Sequence, residues 1–264
     1  MSFDKGIKMT VDWYRKTYHS NETLAENSHR KQRRRRLVQT KTRRRQEGES
    51  EVLSRAWQSV PVVEPHREKK TVLVTGGAGF VGSSVAAMLL ERGDDVVVID
   101  VMNSYYNISI KEGNLKRLTS EFGTERVSIY RGDICNATLV HEIFQRHHPE
   151  WICHLAARAG VRPSIDDPLI YVSSNVEGTT NLLDISRQYN VQIFVFASSS
   201  SVYGGSTSTL FDEEEPVDYP VSPYAATKKS CELMGYTFHH LYKIPVTALR
   251  FFTVYGPHGR PDMA

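Results

Sequence analysis

The sequence from Thr71 to Ala264 predicts an α/β fold, with a doubly wound parallel sheet that has helices on both faces. Short apolar segments alternate there with stretches of ten or more residues that suit helices. A glycine-rich turn directly follows the first apolar segment, as is common where a strand leads into a helix in such sheets. No internal repeat is found in this region, so we expect one domain.

Six strands are expected in this domain. The first, Thr71–Thr75, is an apolar run of the length that a buried strand needs. The others are expected at residues 96–100, 127–131, 151–155, 192–197 and 246–250. Helical stretches lie between most of them, which favours parallel pairing through crossover helices.

The charge of the chain is divided unevenly. The net charge is +3, but residues 1–70 hold 18 of the 33 Lys and Arg residues and only 9 of the 30 Asp and Glu residues. The basic character therefore belongs to the N-terminal region. At its start, residues 1–18 predict a short amphipathic helix, because apolar side chains recur at helical spacing at Ile7, Val11, Tyr14 and Tyr18.

Residues 19–70 form a polar, arginine-rich segment that we expect to be a disordered linker. It buries too little apolar surface to offset its chain entropy. Arginines cluster at residues 33–36 and 43–45, and such clusters can bind nucleic acid or act as a nuclear address. No aromatic platform or nucleic-acid-binding module accompanies them, so a solvated linker is the favoured interpretation.

The composition argues against several classes of protein. The hydrophobic fraction of 40% is ordinary for a soluble protein. No apolar run approaches the roughly 20 residues of a membrane span, and the first residues lack the apolar stretch of a signal peptide. Cys135, Cys153 and Cys231 lie far apart and form no CxxC pair, so neither a disulfide scaffold nor a metal site is indicated. We therefore expect a cytoplasmic protein with free thiols and no metal.

The glycine turn has the spacing of a dinucleotide site. Its three glycines permit a tight turn, close approach of a pyrophosphate, and packing of helix against strand, and the helix N-terminus offers N–H groups to phosphates. The predicted cofactor-binding residues of this turn are Gly76, Gly79, Phe80, Val81 and Gly82. Asp100 ends the second strand, where a carboxylate hydrogen-bonds a ribose 2′-hydroxyl and repels a 2′-phosphate. We therefore expect NAD, rather than NADP, as the cofactor.

A second motif places a phenol and an ammonium group on one helix face. Tyr224 and Lys228 are four residues apart. The cation favours the phenolate and lowers the tyrosine pKa from about 10, as a base that takes a proton from a hydroxyl requires. Alone, this pattern is also that of an ordinary helix face. Four serines, Ser198–Ser201, end the preceding strand at the edge where open α/β sheets bind ligands, and this position gives the motif its weight.

Five motifs together carry a resemblance to a known family. They are TGGAGFVG from Thr75, HLAARAGVR from His154, SSSSVYG from Ser198, YAATK from Tyr224 and RFFTVYGPHGRPDMA from Arg250. Over residues 71–264 the chain resembles the extended short-chain dehydrogenase/reductases, which have a Rossmann domain that binds NAD. Within them it resembles the NAD-dependent epimerase/dehydratase family, and it is most similar to the UDP-glucuronate 4-epimerases.

The resemblance implies catalytic roles for Ser199, Tyr224 and Lys228, with Ser200 and Ser201 in the substrate pocket. Further residues that it implies at the site are Asp133, Ile134, Ala156 and Ala157 for the cofactor and Asn175 as a support of the central strands. The implied reaction converts UDP-glucuronate to UDP-galacturonate. Hydride passes from C4 of the sugar to bound NAD, the 4-keto sugar turns over, and hydride returns to its other face. The resemblance also implies a homodimer.

Two related activities can be weighed on chemical grounds. The 4,6-dehydratases have an Asp and a Glu beside the catalytic threonine to eliminate water, and this chain has Ser200 and Ser201 there. UDP-glucose 4-epimerases remain an alternative, but the GRPDMA ending favours a uronic acid. A 4-keto uronate readily loses CO₂, so its carboxylate needs a rigid clamp. Arg260 and Thr253 are the candidates for this clamp, with Arg162 as a further one.

The chain departs from the family pattern near its ends. It stops at Ala264, where relatives continue into a smaller lobe, and His258 stands where they usually have Trp. Residues 2–18 resemble the last helix of the same epimerases. We therefore keep a second hypothesis, a non-catalytic NAD-binding fragment, and expect the 264-residue chain alone to bind NAD with little epimerase activity.

Overall fold

The computed structural model describes residues 68–206, 210–256 and 258–259. Six parallel strands form one sheet in the order β3-β2-β1-β4-β5-β6, which confirms the predicted doubly wound α/β fold. The strands are β1 (Thr71–Thr75), β2 (Asp95–Asp100), β3 (Val127–Arg131), β4 (Trp151–His154), β5 (Ile193–Ala197) and β6 (Val246–Leu249).

Helices connect these strands across both faces of the sheet. They are α1 (Phe80–Glu91), α2 (Ile108–Phe122), α3 (Ala137–His147), α4 (Val161–Asp166), α5 (Pro168–Tyr171), α6 (Gly178–Gln188) and α7 (Pro223–Tyr242). A π-helical turn, Val172–Glu177, joins α5 to α6, and a 3₁₀ turn, Ser200–Tyr203, follows β5.

Separate apolar clusters bury the two faces of the sheet. Along β1, Val72 and Val74 belong to one cluster and Leu73 belongs to the other. Residues of α1 and α2 complete the first cluster, and residues of α3, α6 and α7 complete the second. Because successive side chains of a strand point to opposite faces, burial of both faces explains why β1 is apolar at successive positions.

The direction in which the sheet is built reverses at its centre. The chain moves outward from β1 to β3 and then returns to place β4 directly beside β1. The connections that leave the carboxyl ends of β1 and β4 therefore diverge. Such a point opens a crevice in which α/β sheets bind their ligands.

All six predicted strands are present, with differences of one residue at their ends. β1 and β3 have the predicted bounds, β2 begins one residue earlier, and β4, β5 and β6 are one residue shorter. Leu155, predicted as the end of β4, lies beyond the strand. Its N–H is shared between the carbonyl oxygen and Oγ1 of Thr75, both at 3.2 Å, so the chain here is already bending toward the glycine turn.

The predicted helix at residues 1–18 and residues 19–67 of the predicted linker lie outside the described residues. None of the helices that the structure describes is long and apolar enough to cross a membrane. Within the same residues, no group of three or more His, Cys, Asp or Glu side chains is arranged to hold a metal ion. The three cysteines are free thiols.

Gly82 lies at the closest contact between α1 and the turn that precedes it. A Cβ atom at Gly82 would overlap the carbonyl oxygen of Gly76, and this oxygen belongs to backbone that cannot move aside cheaply. We expect Gly82→Ala to lower the free energy of unfolding by about 1–3 kcal/mol, measured by urea denaturation.

Gly113 provides a matched control in α2. A Cβ atom there would meet nothing within 4 Å, so Gly113→Ala should raise the free energy of unfolding by about 0.5–1 kcal/mol through its better helix propensity. A Gly82→Ala protein as stable as the wild type would contradict the packing described here.

Candidate active site

A cleft of about 420 Å³ lies along the carboxyl ends of the strands. It brings together the two motifs that the sequence places about 140 residues apart. Of the residues predicted from the sequence, the cleft wall contains Gly76, Gly79, Phe80, Val81, Gly82, Asp100, Asp133, Ile134, Ala156, Ala157, Ser199, Ser200, Ser201, Tyr224, Lys228 and Thr253.

The glycine turn forms the floor of the cleft from backbone alone. Gly76 has a φ of +67°, and a Cβ atom on it would lie 2.8 Å from the nitrogen and Cα of Ala156. Only glycine fits this position, because both its conformation and the available space exclude a side chain. No side chain caps the N-terminus of α1, so its first N–H groups are suited to receive phosphate oxygens.

Asp100 lies at the end of the cleft where a ribose was expected. Its carboxylate is 6% exposed and accepts hydrogen bonds from the N–H groups of Ala78 (3.2 Å) and Met102 (2.9 Å). The ammonium group of Lys111 donates to the same carboxylate at 3.3 Å and to Asn103 Oδ1 at 3.1 Å. Sequence reasoning missed Lys111, although its place in the first turn of the helix after Asp100 was a usable signal.

Asp133 and Ile134 line the cleft beside the end of β3. Asp133 Oδ1 accepts a hydrogen bond from the Cys135 N–H at 2.9 Å, and Asn181 Nδ2 donates to the Ile134 carbonyl oxygen at 2.6 Å. The second of these bonds holds the segment against α6, and both restrain the backbone of the two cleft residues.

Helix α7 carries Tyr224 and Lys228 into the cleft one turn apart, as predicted. Pro223 begins this helix, and Ser222 Oγ caps it by accepting from the Ala225 N–H at 3.1 Å. Lys228 is 4% exposed, and its ammonium group donates to the Ala197 carbonyl oxygen at 2.9 Å. Burial lowers the pKa of Lys228, because an ammonium group loses hydration in the interior.

Ser199 faces the same part of the cleft from the end of β5. It is 8% exposed, and its Oγ accepts a hydrogen bond from the Ser201 N–H at 3.1 Å. The hydroxyl hydrogen of Ser199 therefore stays available for another acceptor. Ser199, Tyr224 and Lys228 thus line the same cleft as Asp100.

Asn175 joins the loop after β4 to helix α7. Its side chain is buried in the π-helical turn, where Oδ1 accepts from the Arg158 N–H at 2.8 Å. Its Nδ2 donates to the Arg158 carbonyl oxygen (3.1 Å) and to Thr227 Oγ1 (3.0 Å). The structure thus places Asn175 where it can hold Tyr224 and Lys228 in register with the cleft wall.

A second polar link escaped sequence reasoning. Glu232, one turn beyond Lys228 on α7, accepts two hydrogen bonds at 3.0 Å from the Arg250 guanidinium. It also accepts one at 2.6 Å from Ser198 Oγ. This hydrogen bonding raises the pKa of Arg250. The pair binds α7 both to the serine segment and to the chain after β6.

The residues predicted to clamp a carboxylate occupy different places in the structure. Thr253 lies on the cleft wall. Arg162 is exposed on α4 and is not among the residues that line the cleft, whereas Arg158 is. Arg260 lies outside the described residues.

The chain resembles proteins whose activities are known. Residues 73–263 match the family described as GDP-mannose 4,6 dehydratase. A UDP-glucuronate 4-epimerase of Thermodesulfobacterium geofontis is 46% identical over 192 residues, which are 73% of this chain and 58% of that protein. UDP-glucuronate 4-epimerase 4 of Arabidopsis thaliana is 48% identical over 195 residues, which are 74% of this chain and 44% of that protein.

A solved structure shows the same fold. The UDP-glucuronic acid 4-epimerase of Bacillus cereus, in complex with UDP-glucuronic acid and NAD, is 37% identical with a TM-score of 0.65, over 74% of this chain and 60% of that one. The chain spans about half the length of the curated relatives it matches. The match over residues 73–263 and the shared fold establish that the chain belongs to the GDP-mannose 4,6-dehydratase family of NAD-dependent epimerases and dehydratases.

Proposed function

We propose that this chain binds NAD in the cleft and catalyses 4-epimerisation of a nucleotide sugar, with UDP-glucuronate as substrate and UDP-galacturonate as product. The observation that carries this proposal is that Ser199, Tyr224 and Lys228 line one cleft, whose floor is formed by the glycine turn. The relatives named UDP-glucuronate 4-epimerase support the choice of sugar.

The cleft suits NAD at both ends. The backbone floor at Gly76 and the uncapped N-terminus of α1 fit a pyrophosphate. Asp100 and the Asp133–Ile134 segment would hold the adenosine, and Lys228 would hold the nicotinamide ribose. When bound, NAD supplies the acceptor and donor of the hydride that leaves and returns to C4 of the sugar.

The protein side chains would move the proton. Tyr224 takes the proton of the 4-hydroxyl group as hydride leaves the same carbon, and returns it when hydride arrives at the other face. Lys228, held by the Ala197 carbonyl oxygen, would place a cation near the phenol one helical turn away and favour the phenolate. Ser199 would hydrogen-bond the 4-oxygen and fix its position between the phenol and the cofactor.

Two features favour epimerisation over water elimination. Ser200 and Ser201 line the cleft beside Ser199, and neither hydroxyl is an acid or base at neutral pH. Thr253 lines the cleft and would bind the sugar carboxylate, with Arg260 as the proposed cationic partner. UDP-glucose 4-epimerase activity is the alternative that shares all these residues except the clamp.

A second candidate function is NAD binding without turnover. The residues predicted to hold the cofactor line the cleft, and cofactor binding alone requires no contact with a sugar. Cofactor binding and turnover must therefore be measured separately.

We also propose that two copies of the chain associate. Large apolar side chains are exposed on α5, the π-helical turn and α7, three elements that pack against one another: Leu169 (78%), Val172 (48%), Leu233 (55%) and Tyr236 (70%). An apolar surface of this kind is typical of a protein–protein interface. A second copy is the favoured occupant, because the resemblance implies a homodimer.

The preference for NAD over NADP tests the proposed role of Asp100 in cofactor binding. The wild-type chain should bind NAD more tightly than NADP, and Asp100→Asn should reduce that preference about tenfold by removing the charge that a 2′-phosphate meets. Isothermal titration calorimetry with both cofactors measures this. The control is Asp184→Asn, a change at a half-exposed carboxylate on α6 that bonds Arg187, which should leave the ratio of the two affinities unchanged. If the wild type bound NAD and NADP with equal affinity, the proposed role of Asp100 would be overturned.

The rate of sugar conversion tests the proposed role of Tyr224 as the base. Tyr224→Phe should reduce conversion of UDP-glucuronate by about 100-fold or more while NAD affinity stays within about twofold, since only the proton acceptor is lost. Tyr236→Phe, an exposed change on the same helix, is the control. Products are separated by anion-exchange chromatography. Near-normal turnover of Tyr224→Phe would contradict the mechanism, and a wild-type chain that binds NAD but converts no sugar would select the second candidate.

Sedimentation tests the association. Replacing Tyr236 and Leu233 by glutamate should produce a monomer, because a desolvated carboxylate is costly in an apolar interface. Sedimentation velocity of the wild type and the double variant measures the change. A monomeric wild type would rule out this interface.

A further inference from the structure

A fully buried histidine lies beside the cleft, and the proposed reaction does not use it. His154 is the last residue of β4 and is 3% exposed. Its Nδ1 lies 2.7 Å from Thr75 Oγ1, and its Nε2 lies 2.9 Å from Thr179 Oγ1. The ring therefore joins the end of β1 to the first turn of α6 across the centre of the sheet.

The hydrogen bonds of Thr75 determine which nitrogen carries the proton. Thr75 Oγ1 accepts from the N–H groups of Leu155 (3.2 Å) and Ala156 (3.1 Å). A hydroxyl oxygen has two acceptor positions and one hydrogen, so its hydrogen points at His154 Nδ1. Nδ1 is therefore the acceptor, and Nε2 carries the hydrogen and donates it to Thr179.

The surroundings of the ring keep it neutral. Burial, together with the charge of Lys228, lowers the pKa of His154 to about 3. The other titratable group at this network is Cys231, whose Sγ contacts Thr179 Oγ1 at 3.4 Å and whose pKa burial raises. Neither Lys228 nor Cys231 favours a protonated, charged His154 ring at neutral pH. The direction of the hydrogen bonds from Thr75 to His154 and from His154 to Thr179 is therefore fixed.

One side of this network controls the shape of the cleft. The N–H groups that Thr75 holds belong to Leu155 and Ala156, which line the cleft. The backbone of Ala156 lies directly against Gly76, where no Cβ atom fits. The gap between these two backbone walls therefore depends on the hydroxyl of Thr75, which the histidine orients.

The other side of the network leads to the catalytic helix. Cys231 Sγ lies 3.3 Å from the Asn175 carbonyl oxygen, and Asn175 in turn bonds Thr227. Thr227 Oγ1 donates to the Tyr224 carbonyl oxygen at 2.8 Å. Buried polar contacts thus run from the glycine turn to the residue proposed as the base.

We propose that His154 is a positioning residue for the dinucleotide: as the neutral Nε2–H tautomer it orients Thr75 and so fixes the spacing between the glycine turn and the Leu155–Ala157 segment. The proposal rests on the proposed binding of NAD. His154 touches neither cofactor nor substrate and acts through Thr75.

Two pairs of variants separate positioning from general stability. His154→Phe keeps a ring but removes both hydrogen bonds, and it should weaken NAD binding about tenfold. His141→Phe is the control, because His141 is a half-buried histidine on α3 away from the cleft. Thr75→Val keeps the side-chain shape without the hydroxyl and should also lower the affinity for NAD about tenfold. Thr75→Ser keeps the hydroxyl, so its affinity for NAD should stay within about twofold of the wild-type value.

Coupling between the two positions provides the sharper readout. If His154 acts through Thr75, the double variant His154→Phe with Thr75→Val should bind NAD about as weakly as the weaker single variant. Fully additive losses would overturn the proposal. Affinities are measured by calorimetry at a temperature where every variant is folded, so that a lower Tm alone does not change them.

Nitrogen NMR tests the tautomer without any cofactor. In ¹⁵N-histidine-labelled protein, the His154 ring should show a protonated Nε2 and an unprotonated Nδ1, with no titration between pH 5 and 8. A protonated Nδ1 would overturn the proposal. If His154→Phe does not fold, Thr179→Val provides a second test. It removes only the hydrogen bond between His154 Nε2 and Thr179 and should weaken NAD binding about threefold.

These outcomes distinguish the two proposals. A wild-type chain that does not bind NAD defeats the proposed function, while the NMR result still decides the tautomer. A chain that binds NAD equally well with and without His154, even at a reduced Tm, shows that the histidine only stabilises the fold and overturns the positioning role.

Discussion

The cleft depends on a close contact between two stretches of backbone. Gly76 leaves β1 with a positive φ, and the chain after β4 passes so near that Ala156 would collide with any side chain at Gly76. β1 and β4 are neighbours at the centre of the sheet, so this contact lies where the sheet reverses its direction of growth. The floor of the cleft therefore presents peptide groups, and all side-chain chemistry has to come from its ends.

Buried polar bonds, rather than apolar packing alone, bring that chemistry into register. α7 is held to β5 by Lys228 and Ala197, to the π-helical turn by Thr227 and Asn175, and to the chain after β6 by the Glu232–Arg250 pair. A buried polar group is costly unless its partners are in place. Such bonds therefore specify one position of the helix where apolar contacts would tolerate several.

The sequence was sufficient for the features that depend on local pattern. The glycine spacing, the strand alternation and the four-residue step from Tyr224 to Lys228 are all set by neighbours along the chain, and each is found as predicted. Features that depend on distant partners were not predictable. Lys111 had a signal in its place on the helix after Asp100, but its contact with the carboxylate forms only when α2 folds back over Asp100. Glu232 meets Arg250 only when β6 brings that arginine beside α7. Arg162 is exposed on α4, and its predicted role as a carboxylate ligand stays a prediction, because sequence proximity to the cleft does not fix the direction of a side chain on a short helix.

The number of residues in the π-helical turn at Val172–Glu177 determines how the residues before it are oriented relative to those after it. A π-turn holds one residue more than the α-helical turn it replaces. Across this turn Asn175 bonds the loop after β4, while Thr179, four positions later, bonds His154. Removing one residue would rotate everything before the turn by about 100° relative to everything after it. Asn175 and Thr179 could then no longer both reach their partners. A single deleted codon between Asn175 and Thr179 would thus break at least one end of the connection while leaving every remaining side chain chemically intact.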